Sequence, residues 1–364
     1  MKVINMANGQ IYSEVQIDAS SRLSSLPSTL PSSSLNGIVN STINNKINCD
    51  AENGFVYTGH DSSWSSNDII GISMLALLLV INLTWTFIYF NSKSKSKSST
   101  KYIRNFAVFI SVLWVGFLAY RPILFLYMPS SIISWITHTP EYLDRTTMFP
   151  NYYRFEQPEA FEKLRQEVDK LLSNTNNGNK LSLFADTYGG ENRVLGNFKK
   201  DNDVTRAWRV FNIKLGGTYS KNGLEHFPYL KSLLDELPEI IACMISVVEP
   251  GIRVPLHYGY YKGIMRYMIP THVPKEREKV FLCVNGIKYH WTKGEGVLWD
   301  DTYAHKVYNE ASEPRVVIFL DVMRPITADK SSWFDAFNTL VVKTVTGSPI
   351  VQDEIRRTEK QVKF

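Results

Sequence analysis

Hydrophobic and polar positions change rhythm three times along this chain. Residues 69–90, IIGISMLALLLVINLTWTFIYF, hold no charged residue. A run of about 20 apolar residues matches the thickness of a bilayer core. A helix apolar on every side argues against a soluble core helix, so a transmembrane helix is predicted over 69–90. A second apolar stretch, 106–120, runs into Arg121-Pro122 and then PILFLYM. Residues 106–128 are read as a second span, with a re-entrant or surface placement as the alternatives. The loop between them, 91–105, carries Lys93, Lys95, Lys97, Lys101 and Arg104. Short basic loops beside a span stay cytoplasmic. Two spans, the arrangement favoured here, put the C-terminal domain of this integral membrane protein on the lumenal side. One span leaves it in the cytoplasm.

On either side of this membrane region, 68–130, the pattern is different. Residues 1–67 are rich in Ser and Asn, poor in aromatics and without sustained period, and are expected to be disordered. They show no apolar h-region, so no cleavable signal peptide is expected. After a linker, 131–149, helical periodicity appears in EAFEKLRQEVDKLLS, with Phe161, Leu164, Val168 and Leu171 on one face. Beyond residue 205 the pattern becomes short strands between turn signals: AWRVFNIKL, IACMISVVE, IMRYMI, KVFLCV, IKYHW, GVLWDD, AHKVYN and RVVIFLDV. Asn285-Gly286 marks a two-residue hairpin, and KGEG at 293–296 a second turn. Many short strands at this spacing predict a mainly β domain over 150–326, a β-sandwich or jelly roll with flanking helices. Residues 327–364 add one amphipathic stretch, WFDAFNTLVVKTV, and a polar tail.

Composition narrows the function only a little. The net charge of +5, from 40 basic and 35 acidic residues, is small and partly concentrated in the 91–105 loop, so no nucleic-acid partner is expected. Three cysteines, Cys49, Cys243 and Cys283, are too few and too scattered for a disulfide framework or a C-x-x-C metal site. Cys243 and Cys283 are expected as buried thiols in strands.

The chemistry rests on histidines. His257, in RVPLHYG, and His305, in WDDTYAHKVYN, are separated by several strands, so only the fold can bring them together as metal ligands. Taken singly, each reads as an ordinary hydrogen-bonded histidine. A carboxylate two places after His257 would make an iron site of familiar type, but that position is Gly259. Arg315 lies ten residues after His305, across NEASEP. Such spacing is expected to put both on neighbouring strands near one end of a barrel, where a guanidinium could grip a carboxylate in bidentate fashion.

Together, WRVFNIKLGG, SVVEPGIRVPLHYGYYKGIMRY and GEGVLWDDTYAHKVYNEASEPRVVIFLDVMRP resemble the aspartyl/asparaginyl β-hydroxylase family of Fe(II)/2-oxoglutarate dioxygenases. The resemblance runs from Trp208 to Pro325 and implies a double-stranded β-helix (jelly-roll) core. It implies His257 and His305 as the iron ligands, with glycine permitted where other members carry a carboxylate. It implies Arg315 and Ser246 as partners of the 2-oxoglutarate carboxylate, and Arg266 near the cosubstrate and substrate region. Asp300 and Asp301 are expected to shape the turn before His305, with Asp301 as ligand the lesser alternative. Met268 departs from the pattern, because members of the family carry a histidine there and a thioether cannot donate a hydrogen bond. The implied activity is O₂-dependent hydroxylation of an unactivated C–H. An Asp or Asn side chain of a protein is narrowly preferred as substrate over a lipid acyl chain. The rival expectation is a non-catalytic, membrane-anchored jelly-roll binding module.

Overall fold

The computed structural model describes residues 66–91, 105–112, 126–137, 139–175, 181–184, 208–327 and 332–348. The expected disordered region lies almost wholly outside them, as do most of the basic loop, 113–125 of the second expected span, and the C-terminal tail.

Helix α1, Ser66–Asn91, contains the one segment among the described residues that is long and apolar enough to cross a membrane, Ile70–Ile88. Leu79, Val80, Leu83 and Phe87 stand exposed along it. Of the second expected span, 106–112 are helical. Helix α2, Tyr127–Ile136, begins where that span was expected to end and buries Tyr127, Met128 and Ile133. Met74 of α1 packs with Tyr127 and Met128 of α2 and with Tyr260. A side chain at Gly71 would overlap Ser131 and the carbonyl of Tyr127, so glycine there permits the close approach.

The remainder is a jelly roll, as the strand pattern predicts. Among the described residues, eleven strands form two antiparallel sheets. The larger runs β1 (Ser182–Leu183), β2 (Trp208–Leu215), β4 (Ile240–Val248), β11 (Arg315–Met323), β6 (Ile264–His272), β9 (Val297–Trp299), with β3 (Thr218–Tyr219) paired to β2. The smaller runs β5 (Ile252–His257), β10 (His305–Asn309), β7 (Val280–Val284), β8 (Ile287–His290). Alternation along each strand splits the core in two. Met244, Val248, Met268, Val317 and Phe319 face inward and meet Val254, Leu282, Val284 and Val307 of the smaller sheet. Ile245, Val247, Tyr267, Ile269, Ile318 and Leu320 face outward. They lie under helices α3 (Pro158–Asn174) and α4 (Pro228–Glu236). The large sheet is therefore buried on both faces, which is why β4 and β11 read as nearly continuous apolar runs. Glu167 of α3 fixes α4 by accepting from the Tyr229 and Leu230 amides at 2.6 and 3.0 Å. A fifth helix, α5 (Trp333–Thr346), packs Val341 and Val342 against Ile133 of α2 and Tyr261.

Several local expectations change. The 131–149 stretch expected as a linker is structured, with Ile133, Leu143 and Phe149 buried. Strand β5 carries no clear strand signal, because Pro255 interrupts it. It sits at the edge of its sheet, paired only to β10, where a proline is tolerated. The Asn285-Gly286 hairpin forms as read, with both residues at positive φ (48° and 79°). Cys243 is a free buried thiol, but Cys283 is disulfide-bonded. It points to the opposite face of β7 from Leu282 and Val284, a partner choice that spacing could not reveal.

Candidate functional site

The histidine pair is built by one rung of the smaller sheet. His257 ends β5 and His305 begins β10, and the two are register partners. Their ring centres lie 3.9 Å apart. A register shift between His305 and Val307 turns the strand there. His305 is almost fully buried, and its Nδ1 lies 2.9 Å from the Tyr303 carbonyl, which fixes the orientation of the ring. Burial, then the neighbouring His257 ring, pushes its basicity well below the ordinary histidine value. The Trp299 ring meets His305 edge-on at 4.6 Å.

Gly259 is explained by what lies beside it. A Cβ placed there would overlap Cγ, Oδ1 and Oδ2 of Asp301, whose carbonyl also accepts from the Gly259 amide at 2.6 Å. The buried Asp301 carboxylate thus occupies the space into which a residue-259 side chain would grow. Burial raises its pKa to about 6 despite the opposing Arg266. Its Oδ2 pairs with Arg266 Nη2 at 2.9 Å, and its Oδ1 has no hydrogen-bond partner. Gly259→Asp is expected to destabilise the fold by about 1–3 kcal/mol through overpacking. The double change with Asp301→Gly should recover most of that loss, read as thermal midpoint.

The three expected cosubstrate residues do not lie together. Along the inner face of the large sheet, Arg266 pairs in register with Asp321 and Trp299 at one end. Ser246 pairs with Val317 and Val210, and Arg315 with Val248 at the other end. Arg266 is held by Asp301 and by Asp321 (3.1 Å) over the Phe319 ring. It therefore belongs to the histidine end. Ser246 and Arg315 share the far end, where Ser246 Oγ accepts from Trp208 Nε1 at 3.0 Å. The hairpin expected between His305 and Arg315 does not exist, because residues 310–314 cross from one sheet to the other. His305 and Arg315 accordingly start strands of different sheets, at opposite ends of the barrel.

Two features had weak sequence signals. Asp300, wholly buried, binds Arg324 Nη2 at 2.7 Å and Lys262 Nζ at 2.9 Å, and accepts from Thr302 N (3.1 Å) and Oγ1 (2.6 Å). This cluster pins the 300–304 turn that delivers His305; the paired carboxylates of WDD were its only trace. The second is a set of buried donors without acceptors: Arg315 Nε and Nη1, Trp291 Nε1 and Trp299 Nε1.

Among the described residues no cluster of three metal-ligating side chains is present. Two imidazoles on one rung fit a divalent transition ion with open positions. Donors without acceptors, one of them a buried cation, fit an anion beside it. The fold is that of a jelly-roll domain.

The sequence model described as aspartyl/asparaginyl β-hydroxylase matches residues 158–325, and this domain belongs to that family. The chain is 27% identical over 181 residues to an ornithine lipid ester-linked acyl 2-hydroxylase of Rhizobium tropici, covering 50% of this chain and 60% of that protein. It is 29% identical over 123 residues to the human aspartyl/asparaginyl β-hydroxylase (32% of this chain, 16% of that one). It is 34% identical over 141 residues to the human aspartate β-hydroxylase domain-containing protein 2 (36% and 37%). The chain thus spans less than two thirds of the length of these relatives. Solved structures that align include the DMSP lyase DddQ of Ruegeria pomeroyi, at TM-score 0.25 and 10% identity over 35% of this chain and 53% of that one. A predicted oxalate decarboxylase of Thermotoga maritima aligns at TM-score 0.20 and 14% identity over 24% and 69%.

Proposed function

We propose that this protein is a membrane-anchored Fe(II)- and 2-oxoglutarate-dependent dioxygenase that hydroxylates an unactivated C–H. The observation that carries the reading is the His257–His305 rung facing a buried floor of unanswered donors. His257 and His305 would hold the iron, with Asp301 beside them; Arg315 and Ser246 would hold the far carboxylate of the cosubstrate. When bound, iron, 2-oxoglutarate and O₂ supply the oxidant, releasing succinate and CO₂. The chain itself contributes the rest. The Tyr303 carbonyl fixes the His305 ring, Trp299 and Trp208 wall off water, and Arg266 pairs with both Asp301 and Asp321 at the histidine end.

For the substrate we favour a lipid acyl chain, reversing the preference drawn from sequence. The loop after His257 packs against the helix we read as the anchor: Tyr260 packs on α1 and α2, and the Lys262 amide donates to Ser130 Oγ of α2 at 3.0 Å. Next to it, Trp135 of α2 and Trp333 and Leu340 of α5 are exposed, 69%, 67% and 64%, in the manner of residues seated at a bilayer interface. The Rhizobium relative, which aligns over half this chain, is itself a lipid acyl hydroxylase by name.

The test is incubation of the full chain in native membranes with Fe(II), 2-oxoglutarate and O₂. Extracted lipids and Asp/Asn-containing peptides are then scanned by mass spectrometry for the gain of one oxygen atom. Oxygen gain on lipid acyl chains, stopped by Arg315→Ala unless 2-oxoglutarate is raised roughly 10- to 100-fold, supports the reading. Oxygen gain on peptides alone reverses the substrate, and succinate formation from neither favours the binding-module alternative.

A further inference from the structure

The floor of the barrel can only give hydrogen bonds. Arg315, 2% exposed, has two unpartnered nitrogens, Nε and Nη1. Trp291, wholly buried, has an unpartnered Nε1, and the Arg315 guanidinium carbon lies 5.0 Å from the centre of its ring. Ser246 Oγ accepts from Trp208, so its own proton remains to be donated. Neither a guanidinium nor an indole N–H can accept. A buried cation flanked only by donors calls for an anion rather than for water. Burial also lowers the proton affinity of Arg315 to about 9, a cost that a neighbouring carboxylate would remove.

The fold puts these groups at one end. Arg315 and Trp208 are both opposite Val248 on β4. Trp291 follows His290, whose rung continues through Phe281 and Tyr308 to Arg253, beside the start of β5 and so at the Val248 end. The other orphaned indole, Trp299, is at the opposite end, against His305 and in register with Arg266. Met268 points into the same interior from β6 and offers no donor.

We infer that Trp291 is a dicarboxylate-binding residue. Its indole N–H joins Arg315 and Ser246 in holding the far carboxylate, and so supplies the contact that Met268 cannot make. The indole suits this place because its ring face steadies the Arg315 cation while its edge donates, adding no second charge. The inference rests on the site being a 2-oxoglutarate site, and the experiment separates the two.

Binding is measured by calorimetry on the full chain in detergent, anaerobically with Mn(II), using two probes. 2-Oxoglutarate has the oxo group that a metal chelates; glutarate has both carboxylates and lacks it. Trp291→Phe, which keeps a ring under Arg315, is expected to weaken both probes by the same factor, roughly 10- to 100-fold. Adding Met268→His to Trp291→Phe should restore part of the loss, and Tyr153→Phe, at an exposed position, should leave glutarate binding unchanged. Should Trp291→Phe fail to fold, ¹⁵N-indole NMR on the wild type gives the same answer: glutarate should move one buried indole N–H downfield, a signal missing from Trp291→Tyr. Equal glutarate affinity in wild type and Trp291→Phe overturns the inference while leaving the site reading intact. Failure of wild type to bind either probe overturns both.

Discussion

His305→Ala is expected to abolish the visible charge-transfer band that forms when Fe(II) and 2-oxoglutarate are added to the protein without oxygen. Only two side chains on the rung can donate to a metal, and removing one leaves a single imidazole. Loss of an outer partner of a metal ligand costs about 10- to 100-fold in metal affinity, and loss of the ligand itself should exceed that. His305 is also the better-fixed of the pair, buried and oriented through Nδ1 by the Tyr303 carbonyl. His290→Ala serves as control, since its ring nitrogen is engaged by the Arg277 carbonyl at 3.2 Å on the outer strand of the small sheet. A band that survives in His305→Ala with unchanged iron affinity would remove His305 from the metal site.

The second large effect is structural. Asp300→Ala should lower stability by about 3–5 kcal/mol, because it leaves two cations buried without their counter-charge. Arg324 is fully buried and Lys262 nearly so, and both turn their charge on the same Oδ2 of Asp300. That loss is a large part of the roughly 5–15 kcal/mol by which domains are stable, so the thermal midpoint should fall steeply. The pH dependence has a definite sign. Burial alone would raise the Asp300 carboxyl, but Arg324 and Lys262 prevail and hold it at about 2. The unfolded chain has the ordinary value of about 3.9. A folded value below the unfolded one contributes stability that is complete above about pH 4 and is lost as pH falls toward 2. In Asp300→Ala that component of acid sensitivity should be missing, as measured by denaturant midpoints between pH 5 and 2. A variant as stable as wild type would mean that the triad is dispensable.

These two effects join at the turn 300–304. Asp300 anchors it through Arg324, Lys262 and Thr302, Asp301 fills the space beside Gly259, and His305 follows as the first residue of β10. Sequence reasoning treats Asp300 and Asp301 as turn formers, which is locally sound: Thr302 N and Oγ1 do donate to Asp300 Oδ1. Nothing in local pattern reveals that one carboxylate meets two cations, one just past the end of β11 and one in the β5–β6 loop. Those partners are 24 and 38 residues away in the chain.

What the sequence by itself determined follows from short-range physics. An uncharged apolar run specifies a helix of membrane length, periods of two and 3.6 residues specify strands and helices, and Asn285-Gly286 specifies its hairpin. The motif strings also sufficed to indicate the family and to single out His257, Ser246, Arg266, His305 and Arg315. Which of these residues meet was decided only by the tertiary structure. The crossing of 310–314 between sheets, the edge position of β5 and the strand registers carry His257 to His305, group Trp291 with Arg315 and Ser246, and send Arg266 to Asp301. Pairing across a barrel depends on contacts between residues far apart in the chain. A buried donor or charge can be recognised as unanswered only once every neighbour that might answer it has been brought into place.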